Sequence, residues 1–389
     1  MSLSGNWNFP TPIRFGPGTI NELPQACREL GMSHPLLVTD PGLAALPIVE
    51  QALSINREAG LPTGLFCQMQ GNPVGEDVDC GTQMLRDQGH DGVIAFGGGS
   101  ALDVGKAVAL MAGQTRPLWD FEDAGDNWTR VDEAGMVPCV AVPTTSGTGS
   151  EVGRCSVITH SDKHRKVVIF HARMLPERVI CDPSLTTGLP RKITAAVGMD
   201  ALSHNLEAFC APGYHPMADG IALEGMMKVH RALKRAYDDG NDIEARAEMM
   251  IASTMGATAF QKGLGAMHSM SHPVGAVLGA HHGLCNAVFM PFVLGFNRPV
   301  IDERMAHLAR YLDLPGSGFD AVLSWVLDLR ETLGIPHSSE ALGLISEEIP
   351  ELARMGAVDP TAPTNPVPLT PANLTELFEQ SLRGEVVQR

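Results

Sequence analysis

The first half of the chain alternates short apolar runs with segments of helical periodicity. Three apolar runs, within residues 35–40, 91–100 and 138–150, each end in a polar or glycine-rich loop. Apolar runs of this kind are typical of strands that are buried on both faces of a parallel sheet. Because helical segments separate them, the pattern predicts βαβ units in a doubly wound sheet, which binds ligands at the carboxyl ends of its strands.

The pattern changes in the second half of the chain. A strand pair is predicted over 150–170, and from about residue 189 onward helical periodicity dominates. The predicted helical segments are 191–211, 216–240, 242–263, 319–334, 339–356 and 370–382. Thr370 is the expected cap of the last one, with Pro371 in its first turn. The sequence therefore predicts an α/β domain over 1–187 and an all-α domain over 188–389.

Composition and charge exclude several classes of function. The 389 residues are 44% hydrophobic and carry 28 basic against 44 acidic side chains, a net charge of −16. Nucleic-acid binding requires clusters of Lys and Arg, and the chain has no basic run, so no nucleic-acid partner is expected.

The sequence also lacks the patterns of a membrane protein. No apolar run reaches the ~18 residues of a membrane span, and the first residues lack a signal-peptide pattern, so no membrane partner is expected. The eight cysteines are scattered without a CxxC pair, which is typical of reduced thiols in the cytoplasm.

Two loops at predicted strand ends have the composition of a nucleotide site. Residues 97–106, GGGSALDVGK, follow a strand and open a helix, whose free N–H groups and dipole favour a pyrophosphate. The loop matches neither the G-x-G-x-x-G nor the P-loop pattern, and a tight strand-to-helix turn is the alternative. Asp40 ends another strand and is suited to accept ribose hydroxyls, or is a simple turn residue. Residues 143–151 offer small hydroxyls, again with a polar turn as the alternative.

Pairs of polar side chains four residues apart indicate a metal site. Asp200 and His204 lie on one face of a predicted helix, and His268 and His272 repeat that spacing. With His282 they form a set of imidazole and carboxylate donors without a thiolate, which suits Fe²⁺ or Zn²⁺. A buried polar network is the alternative that periodicity leaves open.

Five stretches of the chain together resemble one family, the iron-containing or group III alcohol dehydrogenases. They read FGGGSALDVGK, PTTSGTGSEV, GMDALSHNLEA, GAMHSMSHPVGA and HHGLCNAVFMP, and they follow the order and spacing of that family over essentially the whole chain. The resemblance implies the fold that this family shares with glycerol dehydrogenases and dehydroquinate synthases. That fold has a Rossmann-like dinucleotide-binding domain, here 1–187, and an all-α metal-binding and catalytic domain, here 188–389.

The resemblance also implies roles for individual residues. The implied metal ligands are Asp200, His204, His268 and His282, and His272 is implied to lie near the substrate and the nicotinamide without binding the metal. His272 is also the candidate for a proton relay, because an imidazole exchanges protons near neutral pH. The implied cofactor contacts are Asp40, Gly97, Gly98, Gly99, Ser100, Asp103, Thr144, Thr145, Thr148 and Lys166. An acidic residue at position 40 is typical of family members that prefer NAD.

The chain departs from the family pattern at a few positions. Gly105 stands where Ala is common, and Gly153–Cys155 stand where many members have Thr followed by variable residues. Arg154 either attracts an anionic substrate or forms a structural ion pair, and the ion pair is the favoured interpretation. His281, beside His282, is expected to support the site and not to bind metal.

The implied function is the interconversion of a small primary alcohol and its aldehyde with NAD(H), with the metal as Lewis acid. Iron is the expected metal and zinc is possible. The alternatives are a maleylacetate-reductase-like reductase, a metal- and NAD-dependent lyase of the dehydroquinate synthase type, or a non-catalytic NAD-binding protein. A homodimer or a larger homo-oligomer is expected.

Overall fold

The structure is a computed structural model that describes residues 10–163 and 165–386. The described residues form two compact units, one of 10–145 and Gly149–Gly188, and one of Ser146–Thr148 and 189–386. The division at 187 and 188 stays a prediction. The hydrophobic pattern does not predict that Ser146–Thr148 belong to the same unit as residues 189–386. This assignment depends on contacts between residues that are far apart in the sequence.

Six parallel strands form the sheet of the first unit, and two further strands form an antiparallel pair. The eight strands are β1 Ile13–Phe15, β2 Leu36–Val38, β3 Gly64–Phe66, β4 Val93–Gly97, β5 Cys139–Pro143, β6 Cys155–His160, β7 Arg165–Phe170 and β8 Arg178–Cys181. The parallel sheet has the order β1-β8-β5-β4-β2-β3, and β6 pairs with β7. The three predicted buried strands are confirmed as β2, β4 and β5, and the predicted strand pair is confirmed as β6 and β7.

Helices cover the sheet, so its central strands are buried at every position. The helices of this unit are α1 Leu23–Glu29, α2 Pro41–Ala44, α3 Pro47–Glu58, α4 Gly75–Asp87 and α5 Gly99–Met111. Side chains of α1 and α3 form one core with alternate strand residues such as Ile94 and Phe96. Helix α5 packs on β4 and β5 and against α4. This burial on both faces explains why β4 and β5 are continuous apolar runs without alternation.

Helix α5 lies close against β4 at Gly105. A Cβ atom built there would lie 2.6 Å from the Cβ and 3.0 Å from the Cα of Ala95. We expect Gly105→Ala to lower the free energy of unfolding by about 1–2 kcal/mol, since overpacking outweighs the gain of about 1 kcal/mol in helix propensity. Urea unfolding measures the change. Gly220→Ala is the matched control, because its Cβ would meet no atom within 4 Å, and an equal loss in both variants would contradict the packing argument.

The second unit is helical, as predicted. Its helices are α6 Arg191–Cys210, α7 Pro216–Asp238, α8 Ile243–Ala259, α9 Ala266–Leu278, α10 His282–Tyr311, α11 Gly318–Thr332, α12 Ile349–Ala357 and α13 Pro371–Arg383. Thr370 caps α13 as expected, with its side chain accepting from the N–H of Asn373. The helix predicted over 339–356 is wrong in its first half, where only short 3₁₀ turns form. Helix α12 begins beside Pro350, a residue that is favoured in the first turn of a helix and unfavourable in its interior.

Helices α6 and α10 form the interior of this unit. Helix α6 contacts α7, α8 and α10, and its sides are buried nearly all round. In the part of the chain that the structure describes, α10 is the one helix long and apolar enough to cross a membrane, and 72% of its most apolar window is buried in the protein. A helix that is apolar on all sides and covered by its neighbours is typical of a protein core.

All eight cysteines are free thiols, as the sequence predicts. Burial raises the pKa of Cys27 and of Cys210 to about 12 and that of Cys155 to about 11, whereas Cys80 is exposed. Because the thiolate is the reactive form, we expect a disulfide reagent at pH ~8 to modify Cys80 first and the buried thiols only after unfolding. Colorimetric thiol counting tests this, and Cys80→Ser should remove the fast phase. Rapid modification of the buried thiols in the folded protein would contradict the expectation.

Candidate metal centre

Four side chains from three helices converge in the second unit. Asp200 and His204 are one turn apart on α6, His268 is in the first turn of α9, and His282 is the first residue of α10. One ligand atom from each lies within 4.8 Å of the other three. Asp200, His204 and His268 are buried, and the side chain of His282 is 25% exposed. The cluster is therefore a buried set of donors that is accessible at His282.

Hydrogen bonds to Nδ1 orient two of the imidazoles. Nδ1 of His268 is 2.6 Å from a carboxylate oxygen of Glu207, and Nδ1 of His204 is 3.2 Å from the carbonyl oxygen of Gly147. Each contact places the ring proton on Nδ1 and leaves Nε2 with a lone pair for a metal ion. Three imidazoles and one carboxylate, held in this way, fit a divalent ion such as Fe²⁺ or Zn²⁺.

Glu207 also determines how α9 begins. Its carboxylate accepts from the N–H groups of Gly265 and Met267 at 2.9 Å and 2.7 Å, in addition to its contact with His268. An anionic group at a helix N-terminus satisfies free N–H donors and the helix dipole. One carboxylate therefore starts the helix and orients the imidazole of His268 on it.

The protonation of the histidines follows from these surroundings. Burial lowers the pKa of His204 to about 4, so its imidazole is neutral at neutral pH. Burial also opposes a charge on His268, but the hydrogen bond and the charge of Glu207 outweigh it and raise the pKa of that imidazole. Metal binding requires neutral imidazoles, and His204 meets this requirement over the whole neutral range.

His272 lies beside the cluster on the same face of α9 as His268. Its ring stacks on that of His282 with centroids 5.4 Å apart, and its Nδ1 is 2.8 Å from Oδ2 of Asp359. The backbone N–H and the hydroxyl of Thr361 donate to the other oxygen of Asp359. Burial would raise the pKa of Asp359, but His272 and Thr361 outweigh it and lower that pKa. The ionised Asp359 thus fixes the proton of His272 on Nδ1 and leaves Nε2 as an acceptor.

The predicted nucleotide loops lie at adjacent strand ends in the first unit. Gly97 ends β4 with a φ of +145°, and its carbonyl accepts from the N–H of Thr144 at the end of β5. Helix α5 begins at Gly99, and a Cβ at Gly98 would lie 3.4 Å from the side chain of Thr145.

The other predicted cofactor contacts lie elsewhere on the two units. Asp40 caps α2 by accepting from the N–H of Leu43. Ser100 donates to the carbonyl of Gly71, and Lys166 lies on β7. Thr148 falls in the segment Ser146–Thr148 of the other unit.

Asp103 and Lys106 are buried, and neither is a cap or a surface charge. The Lys106 ammonium group lies 3.3 Å from the Asp103 carboxylate and donates to the carbonyl and the hydroxyl of Ser150 and to the carbonyl of Cys155. The two oxygens of Asp103 accept from the hydroxyl of Ser150 and from the N–H of Val157. This network joins α5 to the segment that leads into β6.

Sequence reasoning missed three residues around the metal centre: Glu207, Asn286 and Asp359. Glu207 lies one turn after His204, and Asn286 lies one turn after His282, so the same-face spacing that identified the ligands is a signal for both. Asp359 lies in a Pro-rich segment that showed no such signal. His281 caps α10 by accepting from the N–H of Leu284, which agrees with a supporting role.

Arg154 lies on the loop before β6. Its guanidinium group is 5.6 Å from the centroid of the Phe170 ring. Among the residues that the structure describes, no carboxylate oxygen lies within the 4.0 Å of an ion pair with Arg154, so the ion pair favoured from the sequence does not form at contact distance. Arg154 still acts on the Asp123 carboxyl of the same unit: burial raises the pKa of Asp123, and the charge of Arg154 partly opposes that rise.

Comparisons with known proteins agree with the fold and the site. The family profile described as iron-containing alcohol dehydrogenase matches residues 10–183, and that of the C-terminal region of the Fe-containing alcohol dehydrogenase family matches residues 194–382. A parallel-sheet unit with a helical unit that carries an Asp/His cluster able to hold a metal ion agrees with a metal-dependent oxidoreductase of this kind. The chain belongs to the iron-containing alcohol dehydrogenase family, whose members use NAD and iron.

Individual relatives support the same assignment over nearly the whole chain. A 4-hydroxybutyrate dehydrogenase from Cupriavidus necator is 39% identical over 96% of this chain and 99% of its own length. An NAD-dependent methanol dehydrogenase from Bacillus methanolicus is 33% identical over 97% of this chain and 100% of its own length. The crystal structure of a 1,3-propanediol oxidoreductase superimposes with a TM-score of 0.92, at 32% identity, over 97% of this chain and 99% of that one. These relatives do not favour the reductase and lyase alternatives.

Proposed function

We propose that the enzyme oxidises a short primary alcohol with a polar far end, such as an ω-hydroxy acid or a diol, and reduces the matching aldehyde with NADH. The observation that carries the reaction is the convergence of Asp200, His204, His268 and His282 within 4.8 Å. The similarity to a 4-hydroxybutyrate dehydrogenase and to a 1,3-propanediol oxidoreductase supports this substrate class. For an anionic substrate, Arg154 on the loop before β6 is the residue we propose to attract the carboxylate.

For the metal, we propose that Asp200, His204, His268 and His282 are the ligands and that iron is the ion in the cell. The fixed Nδ1 protons of His204 and His268 support this assignment, because they leave Nε2 free to bind. Zn²⁺ suits the same donors and competes according to its supply.

For the cofactor, we propose that NAD binds at the carboxyl ends of the strands of the sheet. The N-terminus of α5, which follows Gly97 and Gly98 and begins at Gly99, supports a pyrophosphate position there, because no side chain of its N-cap residue accepts from its first N–H groups. The proposed contacts are Asp40, Gly97, Gly98, Gly99, Ser100, Asp103, Thr144, Thr145, Thr148 and Lys166. Of these, Asp103 is expected to act by holding Ser150 and β6 in place, since both of its oxygens accept protein donors.

The protein side chains have two roles in the reaction: four of them hold the metal ion, and His272 transfers a proton. When bound, the metal ion supplies Lewis acidity toward the substrate oxygen, and NAD supplies the hydride acceptor. The four ligand side chains hold their donor atoms in place inside the buried end of the helical unit. His272 exchanges the substrate proton at Nε2, while Asp359 keeps the Nδ1 proton in position.

NADH absorbance tests the reaction directly. The full chain is loaded with Fe²⁺ or Zn²⁺ without oxygen and given NAD with methanol, 1,3-propanediol and 4-hydroxybutyrate. Metal-dependent NADH formation supports alcohol oxidation, and a preference for 4-hydroxybutyrate that Arg154→Ala removes supports the anionic substrate. Lys163→Ala is the matched control for loss of one positive charge in the same unit. Failure to form NADH with any alcohol, with metal and NAD bound, would overturn the proposal.

The role of His272 has its own test. We expect His272→Ala to lower kcat by about 10²–10⁴-fold, the usual contribution of a general acid or base, with metal content unchanged. Asp359→Asn should lower kcat less, because His272 remains but its orientation is lost. The measurement is steady-state turnover together with bound metal per chain. Unchanged kcat in His272→Ala would exclude the proton relay.

We also propose a cytoplasmic homodimer or a larger homo-oligomer. Strand β1 is at an edge of the sheet, paired with β8, and Phe15 on it is 43% exposed. An exposed edge strand is a favourable surface for pairing with a second copy. The eight free thiols support a reducing compartment. Sedimentation velocity measures the state, and a monomer at micromolar concentration would contradict it.

A further inference from the structure

The amide of Asn286 lies among the ligand atoms of the metal centre. Asn286 is one turn after His282 on α10 and is fully buried. Its Nδ2 is 2.8 Å from Oδ1 of Asp200 and 3.2 Å from Nε2 of both His268 and His282. One amide nitrogen therefore contacts three of the four proposed ligands.

Two of the three atoms around this nitrogen are acceptors. Nδ1 of His268 is occupied by Glu207, so its Nε2 presents a lone pair, and the Asp200 carboxylate presents lone pairs as well. An amide NH₂ group has two hydrogens, so it can donate one to each of these acceptors.

The orientation of the amide follows from its neighbours. Reversal of the side chain would bring its carbonyl oxygen to within 2.8 Å of the Asp200 carboxylate, which is repulsive. In the observed orientation Oδ1 is buried, and no described residue donates a hydrogen bond to it. A buried acceptor without a donor lowers stability. The chain thus keeps an unfavourable Oδ1 in order to present two N–H donors to the ligands.

We propose that Asn286 is a positioning residue of the metal centre. One N–H donates to Oδ1 of Asp200 and holds the carboxylate in its metal-binding orientation, and the other restrains a histidine ligand until the ion enters. The ligand set is then preformed in the metal-free protein. The inference rests on the proposed function, because it presupposes that these four residues bind the metal.

The same helix provides a matched comparison. Asn297 is also a buried asparagine of α10, and its amide exchanges hydrogen bonds with Asn365 away from the ligand cluster. Replacing Asn297 with Leu removes a buried amide from the same helix without removing a contact to a ligand. A purely structural effect should therefore appear equally in Asn297→Leu and Asn286→Leu.

The test is Co²⁺ binding to the full, metal-stripped chain without oxygen. Affinity is measured by competition with a chelator, and ligand geometry is measured from the visible absorption of bound Co²⁺. We expect Asn286→Leu to weaken binding by about 10–100-fold, the usual effect of losing a residue that orients metal ligands, and to change the spectrum. Asn297→Leu should keep the parental affinity and spectrum. Asn286→Ala is a second, smaller variant in case Leu disturbs packing.

Each outcome has a defined meaning. Parental affinity and spectrum in both Asn286 variants would overturn the inference, and so would an equal loss in Asn297→Leu. Failure of both Asn286 variants to fold, with Asn297→Leu folded, would show a structural residue and overturn it as well. His204→Ala distinguishes the two proposals: undiminished Co²⁺ binding there would overturn the metal site itself, whereas loss there with parental binding in Asn286→Leu would overturn only the role of Asn286.

Discussion

His268→Ala should abolish metal binding and reduce turnover by at least about a thousandfold, which corresponds to ~4 kcal/mol of transition-state stabilisation. The substitution removes a ligand whose Nδ1 is 2.6 Å from Glu207 and whose Nε2 faces the cluster. The remaining three ligands offer weaker binding, and Lewis acid catalysis is lost with the ion. Metal per chain and NADH formation measure the two effects together.

The control for that variant is another histidine of the helical unit. His230 on α7 packs edge-on against the Trp325 ring and is absent from the ligand cluster. His230→Ala should keep its metal and its turnover, although it loses some packing energy. Full metal content and turnover in His268→Ala would contradict the assignment of the ligands.

Lys106→Met should lower the free energy of unfolding by about 3–5 kcal/mol, the usual effect of leaving one charge of a buried pair uncompensated. Asp103 would keep its hydrogen bonds from Ser150 and Val157 but lose the ammonium group 3.3 Å away. The carbonyl oxygens of Ser150 and Cys155 would each lose a donor. Urea unfolding followed by circular dichroism measures the loss.

A double variant separates the charge from the packing. Asp103→Asn with Lys106→Met removes both charges, so it should be more stable than the sum of the single changes predicts. Lys192→Met, on the exposed surface of α6, is the control and should change the free energy of unfolding by less than about 0.5 kcal/mol. Additive losses in the double variant would show that the pair contributes no coupling.

Local periodicity was sufficient to predict much of the fold and part of the site. The apolar runs at β2, β4 and β5 and the cap at Thr370 were readable because burial and capping depend on neighbouring residues. The four-residue spacing of Asp200 and His204 placed them on one face of α6 for the same reason. The helix predicted over 339–356 was wrong in its first half because apolar spacing alone does not show that the helix begins only at Ile349, beside Pro350.

The sequence by itself determined the fold class and which Asp and His residues form the candidate metal centre, because strand and helix periods are local and the Asp/His pairs repeat them. Only the tertiary structure decided which distant side chains complete the centre. Three hydrogen bonds join residues that are far apart in the sequence: Glu207 and His268 are separated by 61 residues, Asn286 and Asp200 by 86, and Asp359 and His272 by 87. The repeat of a helix or a strand extends over only a few residues, so it cannot predict that such distant residues meet. Their hydrogen bonds exist because α6 and α9 both pack on α10 and α12 packs on α9, which buries polar atoms that then require partners.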